Sequence, residues 1–259
     1  MKRFFQGKNV VITGAASGIG QDLAVVLISW GVKVALFDIQ RIPLENKDNF
    51  LVDVTDAEGM DRACRALIDS WGRVDIVVAA AGVGGINPAP YFSLAIDKKI
   101  MSINYFGTVN TFAPFIEHLS KNSSGHLVGI CSLAAFRGLP QAGSYSASKA
   151  AQMTLLESFR LDLKKSGVRV SCIHPGFVTT PMTEHDEFEM PFKVSVREST
   201  NIILRAIASG KSQTGYPWQM SLLSKLNRLL PNCVYDFLMP RLSPSKGHRP
   251  RILSSLKEE

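Results

Sequence analysis

The sequence predicts an α/β fold in which helices cover both faces of a doubly wound parallel sheet. Short apolar runs rich in valine and isoleucine alternate with longer helical patterns along all 259 residues. Many of these runs are apolar on both faces, as strands buried between two layers of helices must be. Alternating strands and helices imply parallel strands joined by right-handed crossovers. Hydrophobic residues make up 46% and charged residues 20% of the chain, which is typical of a packed globular domain.

Six strands and four long helices are predicted in order. The strands lie at 10–13, 32–37, 50–53, 74–78, 126–130 and 168–173, and the helices near 18–30, 57–71, 97–120 and 146–166. Only about ten residues, 38–48, separate the second strand from the third, and Pro43 lies among them. Because a full crossover needs a dozen or more residues, we expect a single helical turn or none there.

The domain organisation follows from the same pattern. We expect a single domain over 1–240, which includes a substrate lid over 181–194 and a helical extension over 218–240. A basic tail over 241–259 follows. The net charge is 29 − 22 = +7, of which residues 211–259 supply 8 − 3 = +5. A specific nucleic-acid binder usually shows a basic face across its body, so we expect no such partner and a solvated tail.

Other protein classes are disfavoured by what the chain lacks. It has no run of 18 apolar residues and therefore no predicted membrane-spanning helix. The N-terminal residues lack the apolar core of a signal peptide. The four cysteines (Cys64, Cys131, Cys172, Cys233) form no C-x-x-C pair. They are interpreted as small buried hydrophobes of a reducing compartment, with no metal site, in a cytoplasmic protein.

A glycine-rich turn follows the first strand and opens the first long helix. It reads Thr-Gly-Ala-Ala-Ser-Gly-Ile-Gly over residues 13–20. Glycines let a backbone turn tightly and approach a pyrophosphate, while the helix N-terminus offers unpaired N–H groups to phosphates. A plain β–α turn is the alternative, but the placement between strand and helix favours dinucleotide binding.

Asp38 closes the second strand, 18 residues after Gly20. An acid at that position can accept hydrogen bonds from both ribose hydroxyls and would repel an added 2′-phosphate. We therefore expect NAD to be preferred over NADP. Two alternatives remain: Arg41 could hold a 2′-phosphate, and Asp38 could be a solvated turn residue.

Together with Tyr145-Ser146-Ala147-Ser148-Lys149, the glycine turn resembles the short-chain dehydrogenase/reductase family. The resemblance runs from about Gly7 to about Pro217 and implies a Rossmann fold. Further family elements match Asp53-Val54-Thr55, Asn104, Ser132 and the stretch from Pro175 to Thr180. The family's N-N-A-G reads Ala79-Ala80-Ala81-Gly82 here. That departure predicts weaker support of the site, and the short connection after Asp38 predicts a more open adenine side.

The resemblance implies hydride transfer between a nicotinamide and an alcohol or ketone. Tyr145 would be the general acid/base; because a free phenol has a pKa of about 10, it needs help at neutral pH. Lys149, one helical turn further on, would favour the phenolate and hold the ribose. Ser132 would hydrogen-bond the substrate oxygen, and Asn104 would position a water that links Lys149 to solvent. The implied cofactor contacts are Gly14, Ser17, Gly18, Ile19, Gly20, Asp38, Asp53, Val54, Ala80, Ala81, Gly82, Tyr145, Lys149, Pro175, Gly176, Val178 and Thr180.

The substrate end is predicted to be apolar, which favours a lipophilic secondary alcohol or ketone. Its predicted lining is Ser132, Ala134, Phe136, Tyr145, Phe177 and Met182. The segment 181–194 is similar to the family's mobile lid, with Phe188, Met190 and Phe192 facing inward. Ser195 and Glu198 predict a capping box at the next helix. His174 is interpreted as a packed loop residue and Cys131 as a packing residue, since no base or cation near it is evident.

Beyond Pro217 the chain departs from the family core. Apolar residues recur there at helical spacing, which favours a helix packed over the pocket or against a sister subunit. The alternative is an amphipathic segment, within 218–259, that rests on an anionic membrane. The family usually forms a homodimer or homotetramer. The same fold also houses epimerases and dehydratases, and a rival function is a catalytically silent NAD-binding regulatory or scaffold protein.

Overall fold

The computed structural model describes residues 1–183, 192–242 and 251–253. Within them, seven parallel strands form one sheet in the order β3-β2-β1-β4-β6-β7-β8. A separate antiparallel pair joins β5 to β9. The strands are β1 Asn9–Thr13, β2 Lys33–Asp38, β3 Asn49–Leu51, β4 Ile76–Ala79, β5 Gly84–Ile86, β6 Gly125–Ile130, β7 Val168–Pro175, β8 Gln213–Tyr216 and β9 Arg251–Leu253. The predicted doubly wound parallel sheet is confirmed.

Helices cover both faces of the sheet because the strands are apolar on both. Val10 and Ile12 pack on one side of β1, and Val11 packs on the other. Helices α2 and α7 contact each other, and α3 contacts α5. The helices are α1 Lys2–Phe5, α2 Gly18–Ser29, α3 Ala57–Trp71, α4 Leu94–Met101, α5 Gly107–Lys121, α6 Gly143–Asp162, α7 Val196–Ser209, α8 Trp218–Leu229 and α9 Asn232–Leu242.

The order of the strands reverses beside β1. The chain runs from β1 outward to β2 and β3, and then returns to place β4 on the other side of β1. Ligands in open α/β sheets bind at such a switch point, beyond the carboxyl ends of the strands. The glycine turn after β1 and the residues after β4 therefore border the same crevice.

The helix predicted near 97–120 is not regular. Helices α4 and α5 are joined by a π-helical turn over Ser102–Phe106, so that one long helix runs from Leu94 to Lys121 with a widened turn in its middle. Asn104 lies in that turn and is fully buried. Wide turns of this kind occur at functional sites because they redirect a side chain out of the normal helical register.

The connections and the C-terminal region refine several expectations. No helix forms between Asp38 and Asn49. Ser195 caps α7 by accepting a hydrogen bond from the Glu198 N–H at 3.2 Å. Helix α9 continues to Leu242 and so passes the predicted start of the basic tail. The predicted lid falls largely on 184–191, including Phe188 and Met190, which lie outside the described residues.

Two sequence interpretations need correction. Cys64, Cys131 and Cys172 are buried thiols, but Cys233 is exposed at the start of α9, because that helix lies on the surface. His174 is not a loop residue. It extends β7, whose last residues pair with β8, and its side chain is buried against Phe136. In the part of the chain that the structure describes, no helix has the length and apolarity needed to cross a bilayer.

His126 on β6 is a buried group that makes stability depend on pH. Its Nε2 lies 2.7 Å from the Ser171 hydroxyl. Burial, together with the positive charges of Arg169 and Lys8, lowers its pKa from 6.5 to about 4. As pH falls from 7 to 5, the unfolded chain takes up a proton at this residue and the folded chain does not. The free energy of unfolding therefore decreases with falling pH, by about 2 kcal/mol from this residue alone.

We accordingly expect His126→Gln to reduce the acid sensitivity of the fold. Denaturant unfolding at pH 7 and pH 5 measures the loss of unfolding free energy for both proteins. The wild type should lose about 2 kcal/mol more than the variant over this range. An equal loss in both would show that His126 is already charged in the folded state at pH 5.

Candidate active site

A cavity of about 650 Å³ lies at the carboxyl ends of the central strands. All seventeen residues predicted to contact the cofactor line it. They come from the glycine turn, from the ends of β2, β3, β4 and β7 and the segments that follow them, and from α6: Gly14, Ser17, Gly18, Ile19, Gly20, Asp38, Asp53, Val54, Ala80, Ala81, Gly82, Tyr145, Lys149, Pro175, Gly176, Val178 and Thr180. Residues far apart in the chain thus converge on one crevice.

The glycine turn is shaped by close backbone approach. Gly14 has φ +70°, and a Cβ there would lie 2.7 Å from the Cα of Ala81. A Cβ on Gly20 would overlap the carbonyl oxygen of Gly14. Ala80 N–H donates to the Thr13 hydroxyl at 3.3 Å, which joins the ends of β1 and β4. Side chains at these glycines would collide with the neighbouring backbone and push apart the end of β4 and the turn, so glycine is required for the chain to pass closely in front of the N-terminus of α2, where a phosphate group can bind.

Asp38 is held at the edge of this cradle. One carboxylate oxygen accepts a hydrogen bond from the Ala16 N–H and the other from the Gln40 N–H, both at 2.9 Å. The carboxylate is partly exposed and lines the cavity. It is therefore fixed in orientation while still facing the crevice.

Tyr145 and Ser132 both line the cavity, and their side chains are hydrogen-bonded to each other. Tyr145 lies in the first turns of α6, and Ser132 follows β6. Burial raises the pKa of Tyr145 to about 12. A hydrogen bond with the Ser132 side chain has the opposite effect but is smaller than the effect of burial. With no cofactor bound the phenol therefore carries its proton at neutral pH.

Lys149 is buried beside Tyr145 on α6. Its ammonium lies 6.0 Å from the centre of the Tyr145 ring. The Nζ atom donates to the Ile130 carbonyl at 3.0 Å and to Oε1 of Gln152 at 3.1 Å. Burial lowers the pKa of Lys149, since the charged form is deprived of water. Hydrogen bonds to two oxygen acceptors compensate part of that loss.

Gln152 extends this network to the neighbouring helix. It is fully buried, and its Nε2 donates to the Thr108 hydroxyl at 2.8 Å. Thr108 in turn donates to the backbone carbonyl of Asn104 at 2.8 Å. Sequence reasoning missed both residues. The available signal was a polar glutamine three residues after Lys149, on the same face of α6.

The Asn104 side chain forms hydrogen bonds with Val83, which lines the cavity, and with Ser148. Its Oδ1 accepts from the Val83 N–H at 2.8 Å, and its Nδ2 donates to the Val83 carbonyl and to the Ser148 hydroxyl, both at 3.0 Å. Ser148 donates to the carbonyl of Tyr145 at 2.8 Å. The Asn104 side chain therefore fixes the segment after Gly82 and reaches the backbone of α6 through Ser148. It does not line the cavity, so its predicted role in positioning a water stays a prediction.

Cys131 has polar neighbours that sequence reasoning did not foresee. Its thiol donates to the Lys149 carbonyl at 3.1 Å. The sulfur atoms of Cys131 and Cys172 and a ring nitrogen of His174 all lie within 4.8 Å of one another. His174 Nδ1 lies 3.2 Å from the Ser132 carbonyl. This buried cluster packs behind Ser132 and Lys149 and supports their backbone.

The structure divides the residues predicted to line the substrate pocket. Ser132, Tyr145 and Met182 line the cavity. Ala134, Phe136 and Phe177 are not among its lining residues. Phe136 turns toward the core, where its ring lies 4.9 Å from that of His174, and Ala134 is buried in the turn that follows Ser132. The chain bends inward after Ser132, which is why these two residues face away from the crevice.

Comparison with known proteins gives consistent results. The sequence model of the family described as short chain dehydrogenase matches residues 8–190. An oxidoreductase of Myxococcus xanthus is 35% identical over 246 residues, which cover 91% of this chain and 97% of the relative. An oxidoreductase of Staphylococcus epidermidis is 30% identical, with 77% and 90% covered. Among solved structures, a short chain dehydrogenase from Burkholderia cenocepacia in complex with NADP superposes with a TM-score of 0.80 at 25% identity, covering 91% of this chain and 98% of that one.

Proposed function

The chain belongs to the short-chain dehydrogenase/reductase family of oxidoreductases, and on that premise we propose that it interconverts a lipophilic secondary alcohol and its ketone with NAD(H). The observation that carries this proposal is the placement of Tyr145, Ser132 and Lys149 around the cavity that the glycine turn borders. A phenol, a hydroxyl and an ammonium there can hold a carbonyl oxygen and exchange one proton with it.

The residues present fit a dinucleotide. The glycine cradle, the N-terminus of α2 and Asp38 line the cavity together with Pro175, Gly176 and Thr180. We propose that the first set holds the adenosine and pyrophosphate and the second the nicotinamide side. When bound, the nicotinamide would supply or accept the hydride, and the protein orients the reacting carbon and moves the proton.

The proton chemistry favours ketone reduction at neutral pH. Because the pKa of Tyr145 is raised to about 12, its phenol is protonated and can donate to an oxygen that gains negative charge. Ser132 would donate a second hydrogen bond to the same oxygen. Lys149 would stabilise the phenolate that remains. Alcohol oxidation needs that phenolate from the start, so its rate should rise with pH.

The proposed NAD preference rests on Asp38. Its carboxylate faces the cavity while two backbone N–H groups fix its orientation. An added 2′-phosphate on the ribose would meet that negative charge. The Burkholderia cenocepacia relative was solved with NADP, so cofactor choice in this chain needs its own measurement.

We also propose that the protein is a cytoplasmic homodimer or homotetramer. Free thiols at Cys64, Cys131 and Cys172 suit a reducing compartment. Leu94 and Phe106, on the helix that spans Leu94 to Lys121, are more than half exposed and offer an apolar contact for a second copy. Light scattering of the purified protein measures the assembly.

A carbonyl panel tests the proposed reaction. Ketones with alkyl chains of increasing length are mixed with the protein and NADH or NADPH, and oxidation of the cofactor is followed by absorbance. The rate with NADH should increase with the length of the alkyl chain. Cofactor binding without turnover across the panel would favour the silent scaffold instead.

Gln152 allows a test of how Lys149 is kept charged. Gln152→Leu removes one oxygen acceptor from the Lys149 ammonium, which should lower the pKa of Lys149 further, because that hydrogen bond stabilises the charged form. The alkaline limb of the pH profile, where activity falls as Lys149 loses its proton, should then move to lower pH. The matched variant Gln152→Glu keeps an acceptor and should move that limb to higher pH. A pH profile of kcat measures the shift, and unchanged profiles in both variants would contradict a positioning role.

A further inference from the structure

The outer side of α8 carries a continuous apolar stripe. Trp218 is 70% exposed and Leu229 is 79% exposed, and the leucines between them are about half exposed. Residues three and four apart on a helix lie on one side of it. We call this set the α8 stripe; its members are Trp218, Leu222, Leu223, Leu226 and Leu229.

The stripe faces away from the body of the protein. Ser221, which is not a member of the stripe, is buried against β8, where a Cβ on Gly215 would overlap its hydroxyl. Each member of the α8 stripe keeps half or more of its surface exposed while Ser221 makes the contact with the sheet. Five large apolar side chains held outward on one helix are more than scattered surface residues and mark an interaction surface.

Polar contacts hold the extension in place. The Arg137 guanidinium donates to the carbonyls of Asn227 and Leu230, the latter at 2.8 Å, and to Oδ1 of Asn232 at 2.9 Å. It also lies 3.8 Å over the Tyr235 ring, whose hydroxyl donates to the Gly138 carbonyl at 2.6 Å. The turn between α8 and α9 is thus fixed to the loop that follows Ser132, and the stripe is presented on an anchored helix.

The charge around the stripe is positive. Lys225 and Arg228 are exposed on α8, while α8 itself has no acidic residue. Over the described residues 211–242, basic residues exceed acidic ones by 4 − 1 = +3. A two-fold contact between copies pairs one patch with itself, so it would bring these like charges together. An anionic surface would instead be complementary to the charges and to the apolar side chains at once.

We propose that the α8 stripe docks on an anionic lipid bilayer, with α8 lying in the plane of the interface. An amphipathic helix with apolar residues on one side and lysine or arginine beside them binds in this manner. The leucines and Trp218 enter the boundary of the acyl chains, and Lys225 and Arg228 remain at the level of the phosphates. The proposal is independent of the substrate.

Flotation of the full-length protein with vesicles tests it. Vesicles of phosphatidylcholine with phosphatidylglycerol should carry the protein upward, vesicles of phosphatidylcholine alone should carry less, and salt should release it. Leu222→Asp combined with Leu226→Asp should lower binding at least about tenfold. Lys225→Gln combined with Arg228→Gln should remove the preference for anionic lipid.

A matched control separates the stripe from general surface polarity. Leu161 on α6 is 62% exposed, and Leu161→Asp should leave vesicle binding unchanged. Thermal unfolding and cofactor binding report whether each variant is folded. Absence of flotation with anionic vesicles, or equal flotation of the double leucine variant, overturns the proposal. The proposal is also overturned if the protein does not bind vesicles and the double leucine variant changes from dimer to monomer, because the stripe would then be a subunit interface. None of these measurements uses turnover.

Discussion

Tyr145→Phe should lower kcat about a thousandfold while leaving NADH affinity nearly unchanged. General acid/base groups typically contribute a factor of about 10²–10⁴ to a rate, and the proposed function assigns the proton transfer to this phenol. The change removes one oxygen atom from a buried ring and keeps the ring itself. Steady-state kinetics with the best ketone of the panel and titration of NADH measure the two quantities.

Tyr216→Phe is the matched control for that loss. Tyr216 is also buried, its hydroxyl lies 2.6 Å from that of Ser199, and its side chain is not among the residues that line the cavity. Its loss should cost about 1 kcal/mol of unfolding free energy and leave kcat near that of the wild type. If Tyr145→Phe retained a tenth or more of wild-type activity, another group would have to be the acid.

Asp38→Ala should shift the ratio of NADP(H) to NAD(H) affinity by about a hundredfold or more toward NADP(H). In the proposed binding mode the variant loses two hydrogen bonds from ribose hydroxyls to the carboxylate, each typically about 1.5–3 kcal/mol, and no longer repels a 2′-phosphate. Calorimetric titration of both cofactors gives the two dissociation constants whose ratio is compared.

Asp38→Asn serves as the isosteric variant. It keeps an oxygen that can accept from the Ala16 N–H and removes only the charge. Affinity for NAD(H) should fall less than in Asp38→Ala, while discrimination against NADP(H) should still weaken. A wild-type protein that binds NADPH more tightly than NADH would overturn the argument from Asp38, and Arg41 would become the residue to examine.

The features that sequence predicted well are those set by local chemistry. The glycine turn needs glycines wherever it occurs, since a side chain at Gly14 would clash with Ala81. The strands β1, β4 and β6 are apolar on both faces, which few other structures require. Tyr145 and Lys149 share a helix face because of their spacing alone.

Other features depend on partners that are distant in sequence. The wide turn at Asn104 is stabilised by hydrogen bonds with the backbone of Val83 and with Ser148. Because these partners are distant in sequence, no local pattern predicts the turn. Phe136 is apolar whether it faces substrate or core, so composition cannot decide between them. Helix α8 was expected from its apolar spacing, but its outward orientation depends on Arg137, about ninety residues earlier in the chain. Strand β8, which contains polar residues and a glycine, pairs at the sheet edge without an apolar signature.

The short pairing of Arg251–Leu253 with Gly84–Ile86 has a practical consequence for work with this protein. Val83, immediately before β5, is held by both polar groups of the Asn104 side chain, which in turn reaches the backbone of Tyr145 through Ser148. Removal of Arg251–Leu253 would leave the edge of Gly84–Ile86 without its strand partner and weaken the hydrogen bonds that run from Val83 through Asn104 to Ser148. A protein shortened in this way should lose turnover before it loses its fold, so an affinity tag is better fused at the N-terminal side.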